Sequence, residues 1–292
     1  MINKLITLFA SSIFLVSCST KPTTQSYCKQ YAHIHNHTCQ SQQMNETDYF
    51  LIILVDARHL DYSNSQRFLQ TFTKHPANGS KEANVGHAWI YLKGKDSVIE
   101  GGHTGEYGVI RPRYVDGIMQ LVSESDRNPI RYLWESLDDG VFQKGAGGHT
   151  PSYAAKFNIT QEQYHAILSY IHPNRYLYRN YSLTGRQCTS FVSQVAALAD
   201  IDIDTDVTMQ ILPNAKISCC SLPLWEDARY ASITFASPDI LEKNLIEKVK
   251  KGEAECAISW YQQHTNLDKT KTSLLHTLEQ FPYRYQRHRS TF

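Results

Sequence analysis

Outside its N-terminal leader, the longest apolar run in this chain, Phe50-Leu51-Ile52-Ile53-Leu54-Val55, is the length of one strand. A membrane-spanning helix needs about 20 consecutive apolar residues. The body is therefore expected to fold in water and to build its core from short elements. Gly86-His87-Ala88-Trp89-Ile90-Tyr91-Leu92 is rich in strand formers, Lys93 to Asp96 reads as a turn, and Ser97-Val98-Ile99-Glu100 returns as a second strand. Extended runs are expected near Tyr107 to Arg113, Ile130 to Leu137 and Tyr176 to Leu183, and a helix or loop at Ser63 to Phe72. The glycine-rich stretch from Gly140 to His149 reads as a mobile loop able to act as a lid. Thr160-Gln161-Glu162-Gln163 fits a capping box, opening a helix that runs to Ile171 before Pro173 stops it. After a turn at Gly185 a second helix opens on Cys188, its apolar face carrying Val192, Val195 and Ala199, and a third runs from Pro238 to about Lys251. This mixture is α+β.

The leader carries an address. Lys4 is followed by Leu5 to Val16, an apolar stretch of about a dozen residues, signal-sized and too short to span a bilayer. It closes in Leu15-Val16-Ser17-Cys18, which resembles the lipobox of bacterial lipoproteins. That resemblance implies cleavage before Cys18, a lipid on its thiol, and export to the cell envelope. Ser19 after the cysteine leans the expectation toward the outer membrane, facing the periplasm. The chain then divides into a signal peptide (1–17), a polar tether (18–46) and a folded domain (47–292) with an extension from about 217.

The formal charge of +1 gives no electrostatic footprint for nucleic acid. A basic cluster at Arg284, Arg287, His288 and Arg289 reads as a solvated tail. Three histidines at 33, 35 and 37 alternate as ligands would, but no second ligand cluster follows them, and Asp202, Asp204 and Asp206 lack the other residues of a calcium loop. No phosphate loop, serine elbow or standard zinc motif is present, so neither a metal nor a cofactor is expected. Of the seven cysteines, Cys28 and Cys39 are close enough to bridge, and Cys219, Cys220 and Cys256 can form one bridge with one left over.

Cys188 stands apart. At a helix start the exposed N–H groups and the positive end of the dipole favour a thiolate and can hold an oxyanion. His87, at a strand start after a glycine, is the candidate base. Glu100, ending the return strand, is the preferred third residue to orient that imidazole, with His103 the alternative.

Gly86 to Tyr91, Val98-Ile99-Glu100, and Asn180 to Val192 around Cys188 together resemble the permuted papain-like hydrolases, relatives of the NlpC-type cell-wall peptidases and of lecithin–retinol acyltransferase. The resemblance implies an antiparallel sheet packed against helices, with the nucleophile at a helix N-terminus. His87 would match the base, Glu100 the strand-end partner and Cys188 the nucleophile. Arg186-Gln187 stands where many relatives have Asn before the cysteine. The expected function is hydrolysis of amide bonds in cell-wall peptides. The alternatives are a lipid-directed acyl hydrolase or acyltransferase on the same centre, and a non-catalytic lipoprotein that binds envelope partners.

Overall fold

The computed structural model describes residues 44–73, 85–105, 127–135, 138, 140–217 and 220–270. The leader, Cys18, most of the tether with Cys28, Cys39 and the three histidines, the run 107–113, Cys219 and the basic cluster lie outside the described residues.

The body is α+β. Six strands form an antiparallel sheet: β1 (Phe50–Asp56), β2 (His87–Lys93), β3 (Val98–Thr104), β4 (Val141–Lys144), β5 (Tyr153–Asn158) and β10 (Glu255–Cys256). Their order across the sheet is β10-β5-β1-β2-β3-β4. β1 runs up the middle and pairs with β2 from Phe50↔Lys93 to Asp56↔His87, and with β5 from Phe50↔Asn158 to Val55↔Tyr153. Paired on both sides and fully buried from Phe50 to Val55, it has no solvated face, which is why its sequence is continuously apolar.

Among the described residues five α-helices accompany the sheets: α1 (Ser65–Thr73), α2 (Gln161–Ile171), α3 (Cys188–Ala197), α4 (Pro238–Lys250) and α5 (Ile258–Thr270). Alternation along the strands assigns the two faces. Leu51, Ile53 and Val55 with Ala88, Ile90 and Leu92 share a core with α2, α3 and α4 through Ile167, Phe191, Val192, Val195, Leu241 and Leu245. Phe50, Ile52, Leu54 and Trp89 face the other way, against Ala257 and Tyr261 at α5. A third cluster lies past the end of β1, where Leu60 and Tyr62 meet the paired strands β6 (Asp206–Gln210) and β9 (Ser232–Ala236), with β7 (Asn214–Ile217) and β8 (Cys220–Pro223) beside them. Residues 220–270 are thus built into the body, since they supply α4, α5 and the sheet's edge strand β10.

The Thr160 capping box forms as expected: the Thr160 hydroxyl accepts from the Gln163 N–H, and the Gln163 side chain accepts from the Thr160 N–H. Three expectations are corrected. The run at Ile130 to Leu137 begins as a 3₁₀ helix (Pro129–Leu133), because Pro129 pre-sets a helical φ at its start. The glycine-rich stretch is no lid: Val141 to Lys144 pair with β3, and only Gly145 to Gly148 form a turn, three of its glycines at positive φ. Tyr176 to Leu183 is a series of turns whose tyrosine rings pack inward around His103 and Phe191. Among the described residues no helix is long and apolar enough to cross a membrane.

Candidate functional site

Cys188 is the first residue of α3, which lies over β2 and β3. The helix starts here because Gln187 caps it: its Oε1 accepts from the Thr189 N–H at 2.6 Å, and Ser190 Oγ accepts from the Gln187 N–H at 2.9 Å. Glutamine is an unusual cap. It serves here because its own amide is anchored, Nε2 donating to the Ala236 carbonyl. The Cys188 sulfur is in no disulfide and the residue is only 3 % exposed. Its thiol donates to Gln187 Oε1 at 3.3 Å, with Thr189 Oγ1 at 3.7 Å. Gln187 therefore occupies one of the amides that an oxyanion would use, and touches the nucleophile as well.

The same end of the sheet receives His87. Gly86 precedes it at φ +90°, and a Cβ there would stand 2.3 Å from the Asp56 carbonyl and 3.3 Å from Pro238 Cβ. The glycine thus serves the close approach of β2 to β1 more than it opens space around the imidazole. Residues 236–239 connect the two candidates: Ala236 holds the cap of α3, and Pro238 packs against the start of β2.

The ring of His87 is turned to the Trp89 side of the sheet. It stacks on Trp89 at 5.7 Å between centroids and on His149 at 4.6 Å. Cys188 is on the α3 side, close enough to Tyr176 that its charge adds to the rise burial imposes on that phenol. The structure therefore delivers both residues to one end of β2, with the imidazole lying on the α5 face and the thiol on the α3 face.

The two candidate third residues separate in the same way. Glu100 pairs with Tyr91, four residues along β2 from His87, and accepts from Trp89 Nε1 at 3.3 Å and from the Tyr261 hydroxyl at 2.5 Å. Its link to His87 runs through Trp89, whose indole it fixes and on which the imidazole stacks. His103 is on the opposite face, wholly buried, its Nε2–H donating to the Tyr178 carbonyl at 2.6 Å and Nδ1 accepting from the Tyr176 hydroxyl at 2.9 Å. Burial holds its pKa down at about 4, against the pull of the Tyr178 hydrogen bond, so it is a neutral core histidine.

A histidine that is neutral in the fold takes a proton on unfolding below its ordinary 6.5. Its contribution is present above that pH and is lost as pH falls toward 4, a change of about 3 kcal/mol. Urea unfolding of native protein and His103→Gln at pH 7 and pH 4.5 is expected to show a markedly smaller acid loss in the variant. Equal losses would remove His103 as the cause.

Sequence reasoning marked the Gln187 position without its capping role, and missed Asp56 and His149. Asp56 ends β1 on the face of His87, and its Oδ2 lies 2.8 Å from His149 Nδ1. Among the described residues no group of three or more His, Cys, Asp or Glu could hold a metal ion. Cys256 is disulfide-bonded. Comparison with protein-family models, with curated proteins and with solved structures found no match to this chain.

Proposed function

We propose that this chain is a cysteine hydrolase of the permuted papain-like kind, anchored in the cell envelope through a lipid on Cys18, and that it cleaves amide bonds in cell-wall peptides. The observation that carries the proposal is a reduced thiol at the positive end of a ten-residue helix that packs on β2, the strand that opens with His87. The likeness of the segments around His87 and Cys188 to that superfamily supports it, and the lipobox-like Cys18 suits an envelope substrate.

In the proposed reaction His87 accepts the Cys188 proton and the sulfur attacks the carbonyl carbon. The tetrahedral oxyanion collapses with cleavage of the C–N bond, and the imidazolium returns the proton to the leaving amine. Water, losing a proton to His87, then cleaves the thioester and restores the thiol. No redox partner or metal is required. The test is turnover of purified peptidoglycan sacculi against long-chain acyl esters, with Cys188→Ala as control. Release of peptide fragments by the native protein alone supports the proposal. Cleavage of esters but not sacculi would replace the substrate class, and turnover of neither would leave a binding protein.

A further inference from the structure

We infer that Asp56 and His149 are the positioning pair for the His87 ring, a role that rests on His87 acting as the base for Cys188. The two histidine rings lie 4.6 Å apart at 25°, a stacked arrangement, and Asp56 Oδ2 is 2.8 Å from His149 Nδ1. The side chains of His149 and Asp56 are 10 % and 20 % exposed, so this pair is largely withdrawn from water. His149 is carried by the Gly145–Gly148 turn between β4 and β5, whose positive-φ glycines fold the chain back. Its own N–H donates to the Ala146 carbonyl at 3.0 Å. Asp56 is fixed by β1, the most buried strand of the sheet.

A row of contacts results along one face. Tyr261 and Trp89 share Glu100, Trp89 stacks on His87, His87 stacks on His149, and His149 meets Asp56. The imidazole thus has near-parallel rings against it that are each held by a carboxylate, which restricts its rotation. A base must be held in one orientation to pass protons efficiently. Besides Asp56, His149, Glu100 and Tyr261, charged groups at this end include Arg58 and His59, just past β1, and Asp239 and Glu242 on α4. Glu100 bonds Trp89 and Tyr261, His59 pairs with Glu242, and the Asp56–His149 pair lies against the His87 ring through the stacked His149 imidazole.

The experiment is alkylation of Cys188 in the full-length protein by iodoacetamide across about pH 5 to 9, followed by mass spectrometry, for native, His149→Gln, Asp56→Asn and His87→Ala proteins. Thermal unfolding of each reports whether the fold persists. His149→Gln and Asp56→Asn are expected to slow alkylation about tenfold near neutrality and to move the pH profile toward that of His87→Ala. Profiles of both variants that superimpose on native, while His87→Ala differs, overturn the positioning role alone. A His87→Ala profile that matches native overturns the Cys188–His87 reading itself, and the positioning role with it.

Discussion

Cys188→Ala is expected to lower turnover of the proposed substrate by at least about a thousandfold, because the hydroxyls beside it, on Thr189 and Ser190, are far weaker nucleophiles than a thiolate. Thr189 is the nearest alternative, and its N–H and hydroxyl lie beside Gln187 and Cys188 on the core side. The fold should hardly notice the change. One sulfur atom is removed from a position whose helix is capped by Gln187 and Ser190 and packed through Phe191, Val192 and Val195. Loss of a single weak S–H bond and a small volume costs about 1–2 kcal/mol. Urea unfolding beside the turnover assay separates the two. A large fall in both would make Cys188 a core residue, whereas a fall in turnover alone marks the nucleophile.

The second large effect concerns stability. Asp239→Ala is expected to destabilise the protein by about 3–5 kcal/mol. This carboxylate is 2 % exposed and sits in the first turn of α4, where the helix dipole favours it. One oxygen accepts from the N–H groups of Arg58 and His59 at 2.7 and 2.8 Å, the other from the Leu60 N–H and the Tyr62 hydroxyl, both at 2.7 Å. Alanine would leave three consecutive buried backbone donors without an acceptor. Burial raises the pKa of Asp239, and the neighbouring His59 and the hydrogen bonds work against that rise. Burial pulls His59 down in turn, but the Glu242 hydrogen bond, 2.7 Å long, with the charges of Glu242, Asp239 and Asp56, together outweigh it and leave the imidazole raised. Glu242 also accepts from Ser152, which ties the entry of β5 to α4. The segment after β1 is therefore held by α4, and with it the end of the sheet that carries His87. A loss below about 1 kcal/mol in denaturant unfolding would mean that this network is not needed to hold that end.

Much of this was readable from residue patterns. β1, the β2–β3 hairpin, the capped helix at Thr160 and the helix opening at Cys188 each declare themselves locally, by an apolar run, a period of two, a capping pair or a period of three to four. What failed was of another kind. Val141 to Lys144 become a strand through pairing with β3, about forty residues earlier in the chain, and the glycines around them read only as a loop. The tyrosines from 176 to 181 look like strand formers, yet turns aim their rings around a buried histidine. At the candidate site, Cys188 opens a helix and His87 a strand, as their local sequence predicts. The register that separates Glu100 from His87 was not legible, because the hairpin turn sets it. Nor was the Asp56–His149 contact, which joins residues far apart in sequence through the fold alone.

The proposed reaction requires the His87 ring, which lies on the α5 face, to reach the Cys188 sulfur of the α3 face around the end of β2. Treatment of the folded protein with 1,3-dibromoacetone, which alkylates a reactive thiol and then a nucleophile within its short reach, tests this most directly. A peptide cross-link between Cys188 and His87, lost in His87→Ala, is the expected result. Cys188 modified once with no bridge to His87, or a bridge to another residue, would contradict the account.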